Sequence, residues 1–334
     1  MNGYDSTMIY RPDNLLAIVG CTAGGKSDLA ERLAAELAHR DGMPPTIMAV
    51  DSMQVYRLMD IGTAKPDAET RRRLPHAMID VADPSEAFSA ARFAEQAGPI
   101  IAEHCAAGRR LIMVVGTVLY FRAITEGLFQ GPAADANVRR ELEHQAATNG
   151  TAALHQRLAA VDPQAAAKIH PNDLRRLVRA LEVYMLTGCA ISSLQTQWQQ
   201  SQPRVPCTII GIDRPREELN RRINQRVRNM MTAGLLDEVT ALYHRDQPMS
   251  KQAADGVGYR QLIAHLQDTV SLDDAVEQIK IQTRHLAKLQ RTWLRRFSQV
   301  HWLKATEADS PDTLAHEALE LLQTAQTGRQ EPPA

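Results

Sequence analysis

The sequence predicts an α/β fold, in which a parallel sheet is flanked by helices and interrupted by an all-helical insertion domain. In the first third of the 334 residues, short apolar runs alternate with stretches of helical periodicity, which is the pattern of a parallel sheet. From Asp135 to Gly188 the periodicity is helical almost throughout, which indicates a separate helical unit.

The predicted strands are apolar runs at Leu15–Val19, Thr46–Val50, Ala77–Val81, Leu111–Val115 and Cys207–Ile212. We expect the last of these runs to be the final strand of the sheet. Helices are predicted at Asp28–Ala38, Ala90–Ala107, Glu217–His244 and Asp273–Phe297. The chain is therefore divided into a core at residues 1–128, a helical insertion at 129–203, the rest of the core at 204–325 and a disordered tail at 326–334.

Charge, cysteine content and hydropathy narrow the possible functions. A net charge of −1 argues mildly against a nucleic-acid partner, but from Lys280 to Lys304 there is no Asp or Glu, so a local basic face is possible. The four cysteines form no C-x-x-C pair, as expected of free thiols in a reducing compartment. Without a signal peptide or a long apolar stretch, we expect a cytoplasmic protein with no membrane contact.

A G-x-x-x-x-G-K-[ST] motif lies between the first predicted strand and the first predicted helix, as Gly20-Cys21-Thr22-Ala23-Gly24-Gly25-Lys26-Ser27. In that context the motif is a P-loop, whose backbone N–H groups surround phosphate oxygens. Lys26 supplies a positive charge to the phosphates, and the Ser27 hydroxyl is a ligand for Mg²⁺. The motif predicts a P-loop NTPase-like sheet that binds a diphosphate or a triphosphate. Taken alone, it leaves open a small-molecule or nucleoside kinase and an RNA-binding ATPase.

Two further motifs follow the second predicted strand, Asp51-Ser52-Met53-Gln54-Val55-Tyr56-Arg57 and Asp60-Ile61-Gly62-Thr63-Ala64-Lys65-Pro66. With the P-loop they resemble the tRNA dimethylallyltransferases, also called tRNA isopentenyltransferases, and the match continues across nearly the whole chain. The resemblance implies transfer of a dimethylallyl group from dimethylallyl diphosphate to N6 of the adenosine immediately 3′ of the anticodon in tRNA, with release of diphosphate. We expect the enzyme to be a monomer.

The resemblance also implies catalytic roles. Asp51 is the expected general base that takes the N6 proton, and the less favoured alternative is a carboxylate that binds Mg²⁺ or its water shell. Arg226 is expected to neutralise the leaving diphosphate, whereas an isolated pair such as Arg222 and Arg226 would more often lie on a solvated helix surface. Thr117 is expected to donate a hydrogen bond where the adenine meets the prenyl diphosphate.

Expected tRNA contacts comprise Asp51, Ser52, Met53, Gln54, Thr117, Arg139, Arg175, Arg176, Leu177, Val178, Arg179, Asp255, Gly256, Val257, Gly258, Tyr259, Arg260, Lys288, Arg291 and Arg295. The helix that contains the last three also has a pattern of its own. One predicted face is basic, with Lys280, Arg284, Lys288, Arg291 and Arg295. A second face is apolar, with Leu286, Leu289, Trp293 and Phe297. We therefore predict that one face packs and the other contacts the RNA backbone, with plain solvent exposure as the alternative.

The sequence departs from the family pattern at a few positions, without loss of a phosphate ligand or a candidate catalytic group. Cys21 replaces a Pro of the P-loop, and Ala77 replaces a second His. Val115 replaces a Gly, so we expect it to crowd the loop that positions Thr117. Asp255 and Leu289 stand where basic or small residues are common, and we expect them to weaken contacts with the tRNA backbone.

Overall fold

The fold is given by a computed structural model that describes residues 14–128, 131–194, 204–295, 297 and 299–327. Its strands are β1 (Leu15–Gly20), β2 (Thr46–Val50), β3 (His76–Ala77), β4 (Leu111–Val115), β5 (Thr208–Asp213) and β6 (Val300–Lys304). They form one six-stranded sheet in the order β3-β2-β4-β1-β5-β6, with parallel pairing between all neighbours. The predicted parallel α/β fold is confirmed.

The helices before the insertion are α1 (Lys26–Asp41), α2 (Ala68–Arg73), α3 (Ala90–Ala106) and α4 (Val118–Thr125). Those of the insertion are α5 (Ala136–Asn149), α6 (Thr151–Val161), α7 (Pro163–Ala166), α8 (Leu174–Thr187) and α9 (Ile191–Leu194). Those that follow it are α10 (Arg216–Thr232), α11 (Leu235–Tyr243), α12 (Lys251–Ala254), α13 (Tyr259–Leu266), α14 (Leu272–Leu294) and α15 (Pro311–Thr327). No helix within the described ranges is long and apolar enough to cross a membrane.

Strand β1 lies in the middle of the sheet and is buried on both faces. Leu15, Ala17 and Val19 pack into the core on one side, while Leu16 and Ile18 pack against α1 and α15 on the other. A strand covered on both faces is apolar at every position rather than at alternate ones. This explains why β1 is visible in the sequence as an uninterrupted apolar run.

The chain divides into two compact units. The first runs to Thr125 and resumes at Val205, and the second is Glu126–Arg204. The only regular elements in the described residues of the second unit are helices, and it has its own core, with Leu142, Leu158 and Leu181 among its members. The predicted insertion at residues 129–203 falls inside this unit.

The predicted third strand, Ala77–Val81, is wrong in its extent, because β3 contains only His76 and Ala77. Met78 and Asp80 have positive φ angles of 63° and 58°, which no strand residue adopts. The Asp80 carboxylate accepts hydrogen bonds from Lys65 and Arg71. These side-chain bonds hold the chain in a tight loop where the apolar pattern suggested a strand.

The last strand was also misplaced by the sequence prediction. Strand β5 pairs on one side with β1 and on the other with β6, so it is an inner strand. The edge strand β6 was missed, because His301, Trp302 and Lys304 are exposed and only Leu303 is buried. An edge strand needs no continuous apolar run, and this one therefore lacks the signal that reveals the inner strands.

The predicted helices near the C-terminus also differ from those of the structure. The segment from Glu217 to His244 is two helices, since α10 ends at Thr232 and Gly234 adopts a left-handed conformation with φ of 95° before α11. Helix α14 ends at Leu294, before the predicted end at Phe297. The predicted disordered tail at 326–334 overlaps the last two residues of α15, and the remainder lies outside the described residues.

A buried carboxylate stabilises the helical unit. Glu182 has no exposed surface, and its two oxygens accept hydrogen bonds from Arg139 and Arg179. Burial on its own would raise the pKa of Glu182, but the hydrogen bonds from these arginines hold it below the ordinary value. The paired carboxylate therefore stabilises the unit as long as it remains ionised.

We expect Glu182→Gln to lower the free energy of unfolding of the helical unit by roughly 3 kcal/mol at neutral pH, because two arginines lose their charged partner. A carboxyl whose pKa is lowered by folding contributes stability above its unfolded pKa and loses it as the pH falls through the folded pKa. The difference between wild type and variant should therefore shrink below about pH 4. Urea denaturation across this range measures it. Glu141→Gln is the control on the same unit, because Glu141 is exposed and accepts a hydrogen bond from the uncharged Gln145, and equal effects of both variants would contradict the assignment.

Candidate active site

The P-loop connects the end of β1 to the start of α1. Gly25 has a φ of 98°, which side chains with a Cβ rarely adopt. A Cβ added at Gly24 would lie 2.8 Å from the carbonyl oxygen of Cys21, so the loop has no room for a larger residue there. Both glycines are needed for the tight turn that points N–H groups toward a phosphate at the start of α1.

Lys26 is buried at the base of this loop. Its Nζ donates to the carbonyl oxygens of Gly20 at 3.0 Å and Cys21 at 2.9 Å. Burial, reinforced by the positive charge of Arg226, lowers the pKa of Lys26 to about 8. A diphosphate in the loop would supply the negative charge that favours the protonated form.

Asp51 directly follows β2, at the carboxyl edge of the sheet. Its Oδ1 accepts hydrogen bonds from the backbone N–H groups of Met53 at 2.8 Å and Gln54 at 3.3 Å. Its Oδ2 lies against Gly116, where an added Cβ would come within 1.9 Å of that oxygen. The carboxylate is thus fixed in one orientation, and glycine is the only residue type that fits at position 116 beside it.

Thr117 lies next to Asp51 because β2 and β4 are neighbours. The backbone N–H groups of Gly116 and Thr117 both donate to the carbonyl oxygen of Val50, at 3.0 and 2.9 Å. The Thr117 Oγ1 accepts from the N–H of Ser52 at 2.9 Å and donates to the Ser52 Oγ at 3.1 Å. The structure therefore brings together two of the three predicted catalytic residues.

The third predicted catalytic residue, Arg226, faces the same space from α10. Burial lowers the pKa of Arg226, and the negative charges of Asp51 and Asp28 partly offset this effect. One turn earlier, Arg222 donates from Nε to the carbonyl oxygen of Ala23 in the P-loop at 2.8 Å. The pair faces the P-loop, so the alternative of a solvated helix surface is wrong.

These elements enclose one cleft of about 1420 Å³. Its walls include the P-loop from Thr22 to Asp28, the segment Asp51–Gln54, Gly116 with Thr117, and Arg226. The volume exceeds the roughly 300–1,000 Å³ of a typical pocket for one small ligand, so the cleft has space for a second group beside a bound diphosphate.

A half-buried carboxylate anchors a loop that lines the cleft. The oxygens of Glu238 accept from the backbone N–H groups of Asp60, Ile61 and Gly62, at 2.8, 2.7 and 3.1 Å. They also accept from the Tyr259 hydroxyl at 2.7 Å. Glu238 thus anchors the first residues of the loop Asp60–Pro66.

The expected tRNA contact by the Tyr259 side chain is wrong. Tyr259 is buried, and its ring packs so closely on Gly62 that an added Cβ would lie 2.5 Å from the hydroxyl oxygen. Burial and the neighbouring Glu238 raise the pKa of Tyr259 well above its ordinary value. In the same segment Asp255 and Arg260 are exposed, Val257 is half-buried, and Gly256 and Gly258 are buried.

The helical unit places its expected tRNA contacts in three different environments. Leu177 and Val178 are buried in the core of the unit, so their side chains cannot contact RNA and the prediction is wrong for them. Arg139 and Arg179 are paired with Glu182. Arg175 and Arg176 are exposed and remain available as side-chain contacts.

The basic stripe of α14 is not one free surface. Lys280 pairs with Glu277, and Arg284 donates to Asn224 Oδ1 at 3.0 Å. Arg291 donates from Nη2 to the carbonyl oxygen of Arg214 at 2.7 Å and lies 3.7 Å from an Asp213 oxygen. These bonds tie up part of its guanidinium, which is 29% exposed, and its contact with tRNA stays a prediction.

Two positions of that stripe, Lys288 and Arg295, are exposed and stay candidates for an RNA contact. The apolar face of the same helix was also partly misassigned. Leu286 and Leu289 are 38% and 46% exposed, so they do not form the packed face. That face consists of Ala275, Ile279, Ala287, Gln290 and Leu294, with Trp293 and Phe297 packed beside it.

Of the departures from the family pattern, Val115 and Cys21 are resolved most clearly. Val115 packs into the core with Val50 and Val19, and the adjacent Thr117 keeps its backbone bond, so the expected crowding is wrong. The Cys21 thiol donates to the carbonyl oxygen of Ala287 at 3.3 Å, and burial raises its pKa. Leu289 is exposed, and its replacement of Arg costs no packing.

Three polar residues at the site were not predicted from the sequence: Arg214 and Gln290, which are buried, and Glu238, which is half-buried. Arg214 is ion-paired with Glu218 and donates from Nε to the carbonyl oxygen of Gly24 at 2.9 Å. Gln290 could have been found from the sequence, because it is a polar residue at a core-facing position of the amphipathic helix α14. Among the described residues, no cluster of three His, Cys, Asp or Glu could hold a metal.

Comparison with known proteins gives consistent matches over most of the chain. The family model described as IPP transferase matches residues 54–297. The tRNA dimethylallyltransferase of Geobacter metallireducens is 48% identical over 290 residues, which is 87% of this chain and 92% of that protein. The tRNA dimethylallyltransferase of Methylococcus capsulatus is 45% identical over 305 residues, 91% of this chain and 96% of that protein.

Solved structures give the same result. The full-length tRNA isopentenylpyrophosphate transferase from Bacillus halodurans is 36% identical with a TM-score of 0.66, over 96% of this chain and 100% of that chain. A eukaryotic dimethylallyltransferase acting on tRNA is 26% identical with a TM-score of 0.75, over 96% of this chain and 81% of that chain.

The pKa of Lys26 predicts how diphosphate binding depends on pH. Protonated Lys26 attracts the anion, so affinity for inorganic diphosphate should fall as the pH rises through about 8. Isothermal titration calorimetry on wild type and Lys26→Met separates this effect from the titration of diphosphate itself, because the variant retains only the latter. Parallel pH profiles for the two proteins would refute a role of Lys26 in binding the anion.

Proposed function

Because the chain belongs to the IPP transferase family, we propose that it is a tRNA dimethylallyltransferase. It transfers the dimethylallyl group of dimethylallyl diphosphate to N6 of the adenosine immediately 3′ of the anticodon and releases diphosphate. The observation that carries this proposal is the meeting of the P-loop, Asp51 with Thr117, and Arg226 in one cleft.

The donor's diphosphate is proposed to bind in the P-loop. As the bond between C1 of the dimethylallyl group and the bridging oxygen breaks, negative charge increases on the diphosphate. Lys26 at the base of the loop and Arg226 on α10 are cations whose lowered pKa values reflect their desolvation. Cations that are already desolvated stabilise such charge with little reorganisation when the bond breaks.

Asp51 is proposed as the general base. The new bond forms between N6 and C1, and the proton that N6 loses goes to the Asp51 carboxylate. The bonds from Met53 and Gln54 to Oδ1 keep this carboxylate in place. Thr117, bonded to Ser52, is proposed to position the adenine and the prenyl diphosphate through its hydroxyl. The alternative role of Asp51, in the water shell of Mg²⁺, is compatible with this arrangement.

Mg²⁺ is the proposed cofactor. The Ser27 hydroxyl is at the start of α1 and lines the cleft, and in the described part no set of acidic residues offers a separate metal site. That environment suits Mg²⁺, which often takes one or two protein ligands and otherwise binds phosphate oxygens and water. When bound, the ion would add positive charge to the leaving diphosphate.

Exposed side chains are proposed to bind the tRNA. Arg175 and Arg176 of the helical unit are candidates, as are Arg260, Lys288 and Arg295 of the other unit. The target adenine has to leave its stack to reach Asp51, so contacts with the flanking nucleotides are needed. We also propose that the protein is a cytoplasmic monomer.

The decisive experiment incubates the protein with tRNA and labelled dimethylallyl diphosphate in the absence of ATP. We expect label in the tRNA and release of diphosphate. A P-loop kinase is not favoured, since the relatives are tRNA dimethylallyltransferases. Transfer of phosphate from ATP to a small molecule, with no label in tRNA, would overturn the proposal in favour of such a kinase.

Asp51→Asn keeps the shape of the side chain but removes the proton acceptor. We expect turnover to fall by roughly 10²–10⁴-fold, with tRNA affinity close to that of wild type, as measured by single-turnover kinetics and filter binding. Glu31→Gln is the matched control, because Glu31 is another carboxylate that lines the cleft. Near-normal turnover of Asp51→Asn would exclude it as the base.

The exposed cations of α14 predict the salt dependence of tRNA binding. Lys288→Ala combined with Arg295→Ala should flatten the slope of log affinity against log salt by roughly one unit per lost contact, because fewer counterions are released. Lys304→Ala, an exposed lysine on β6, is the control. Arg291→Ala should change the slope less than either of these substitutions, since Arg291 bonds the Arg214 carbonyl. An unchanged slope in the double variant would mean that these two side chains are simply solvated.

A further inference from the structure

Gln290 is a polar side chain on the packed face of α14. It is 7% exposed and follows Ala287 and precedes Leu294 on the buried side of the helix. A buried carboxamide loses its hydrogen bonds to water, so it is tolerated only where protein groups replace them. Gln290 therefore needs protein partners for both ends of its carboxamide.

Both ends of the carboxamide bond the backbone of the active site. Oε1 accepts from the N–H of Thr22, in the P-loop, at 2.7 Å. Nε2 donates to the carbonyl oxygen of Gly116 at 2.8 Å. Gly116 is the residue against which the Asp51 carboxylate lies, and it directly precedes Thr117. One side chain thus connects the loop for the leaving group with the loop for the base.

Neighbouring residues of α14 bond only to the P-loop side. The carbonyl oxygen of Ala287 accepts from the Cys21 thiol at 3.3 Å. Arg291 bonds the carbonyl of Arg214, whose side chain in turn donates to Gly24. Of these three α14 residues, Gln290 is the one whose bonds also extend to Gly116.

We propose that Gln290 is a positioning residue, which fixes the separation between the diphosphate-binding loop and the Asp51–Thr117 pair. This inference rests on the proposed function, in which C1 of the donor and N6 of the adenine must meet between those two loops. Gln290 touches neither reacting atom and acts through Thr22 and Gly116. A displacement of about 1 Å between reacting groups can cost on the order of 10²-fold in rate.

Two substitutions separate the two bonds. Gln290→Met has a similar length and makes neither bond. Gln290→Glu can still accept from Thr22, but it opposes a carboxylate oxygen to the Gly116 carbonyl. We expect both variants to lose roughly 10–100-fold in turnover at saturating substrates, while tRNA affinity stays within about twofold of wild type.

Hydrogen exchange measured by mass spectrometry gives a readout that does not depend on activity. The peptide that contains Thr22 should exchange faster in Gln290→Met and remain protected in Gln290→Glu. The peptide that contains Gly116 and Thr117 should exchange faster in both, because the bond that anchors the Gly116 carbonyl is lost. Gln278→Met, at an exposed glutamine of the same helix, is the control and should change neither exchange nor turnover.

Turnover of Gln290→Met within about twofold of wild type would overturn the proposal. So would an equal loss of tRNA affinity, which would assign Gln290 to tRNA binding, or a general rise in exchange, which would make its role purely structural. Failure of the wild type to label tRNA would instead refute the proposed function. In that case the exchange pattern still decides whether Gln290 joins the two loops.

Discussion

The close packing of the Asp51 carboxylate on Gly116 is the constraint on which the active site depends. Strands β2 and β4 are parallel neighbours, with Val50 opposite Val115, so the next residue of each strand reaches the same edge of the sheet. Only a residue without a Cβ leaves space for the carboxylate there. The parallel register therefore brings the base, the threonine and the P-loop after the adjacent β1 to one edge of the sheet.

The electrostatics of the cleft follow from this arrangement. Lys26 is buried, Arg226 lines the same cleft, and the positive charge of Arg226 contributes to the lowered pKa of Lys26. Two cations that repel each other in a partly desolvated cleft are unfavourable without an anion. An anion bound near both cations would relieve this repulsion. The charge of Asp51 offsets only part of the cost of desolvating Arg226. A polyanionic group such as a diphosphate suits this environment.

The sequence predicted those parts of the molecule that depend on local signals. The P-loop has fixed letters between a strand and a helix, and Asp51 directly follows an inner strand, so both were located correctly. The edge strand β6, the buried ring of Tyr259 and the inward bond of Arg291 depend on partners more than 70 residues away in the chain, as with Arg291 and Arg214. Leu286 and Leu289 were misassigned for a related reason. The pattern considered only large side chains, whereas α14 packs through Ala275, Ala287 and a glutamine.

The helical unit begins after Thr125 and ends before Val205, and the N–H of Val205 donates to the carbonyl oxygen of Thr125 at 3.2 Å. The two residues at which the core is interrupted are thus already bonded to each other. A whole domain is therefore inserted where a tight turn would be sufficient. The geometry of the sheet does not depend on the size of that insertion. Such a junction allows evolution to lengthen, shorten or exchange the inserted domain while the catalytic core keeps its geometry.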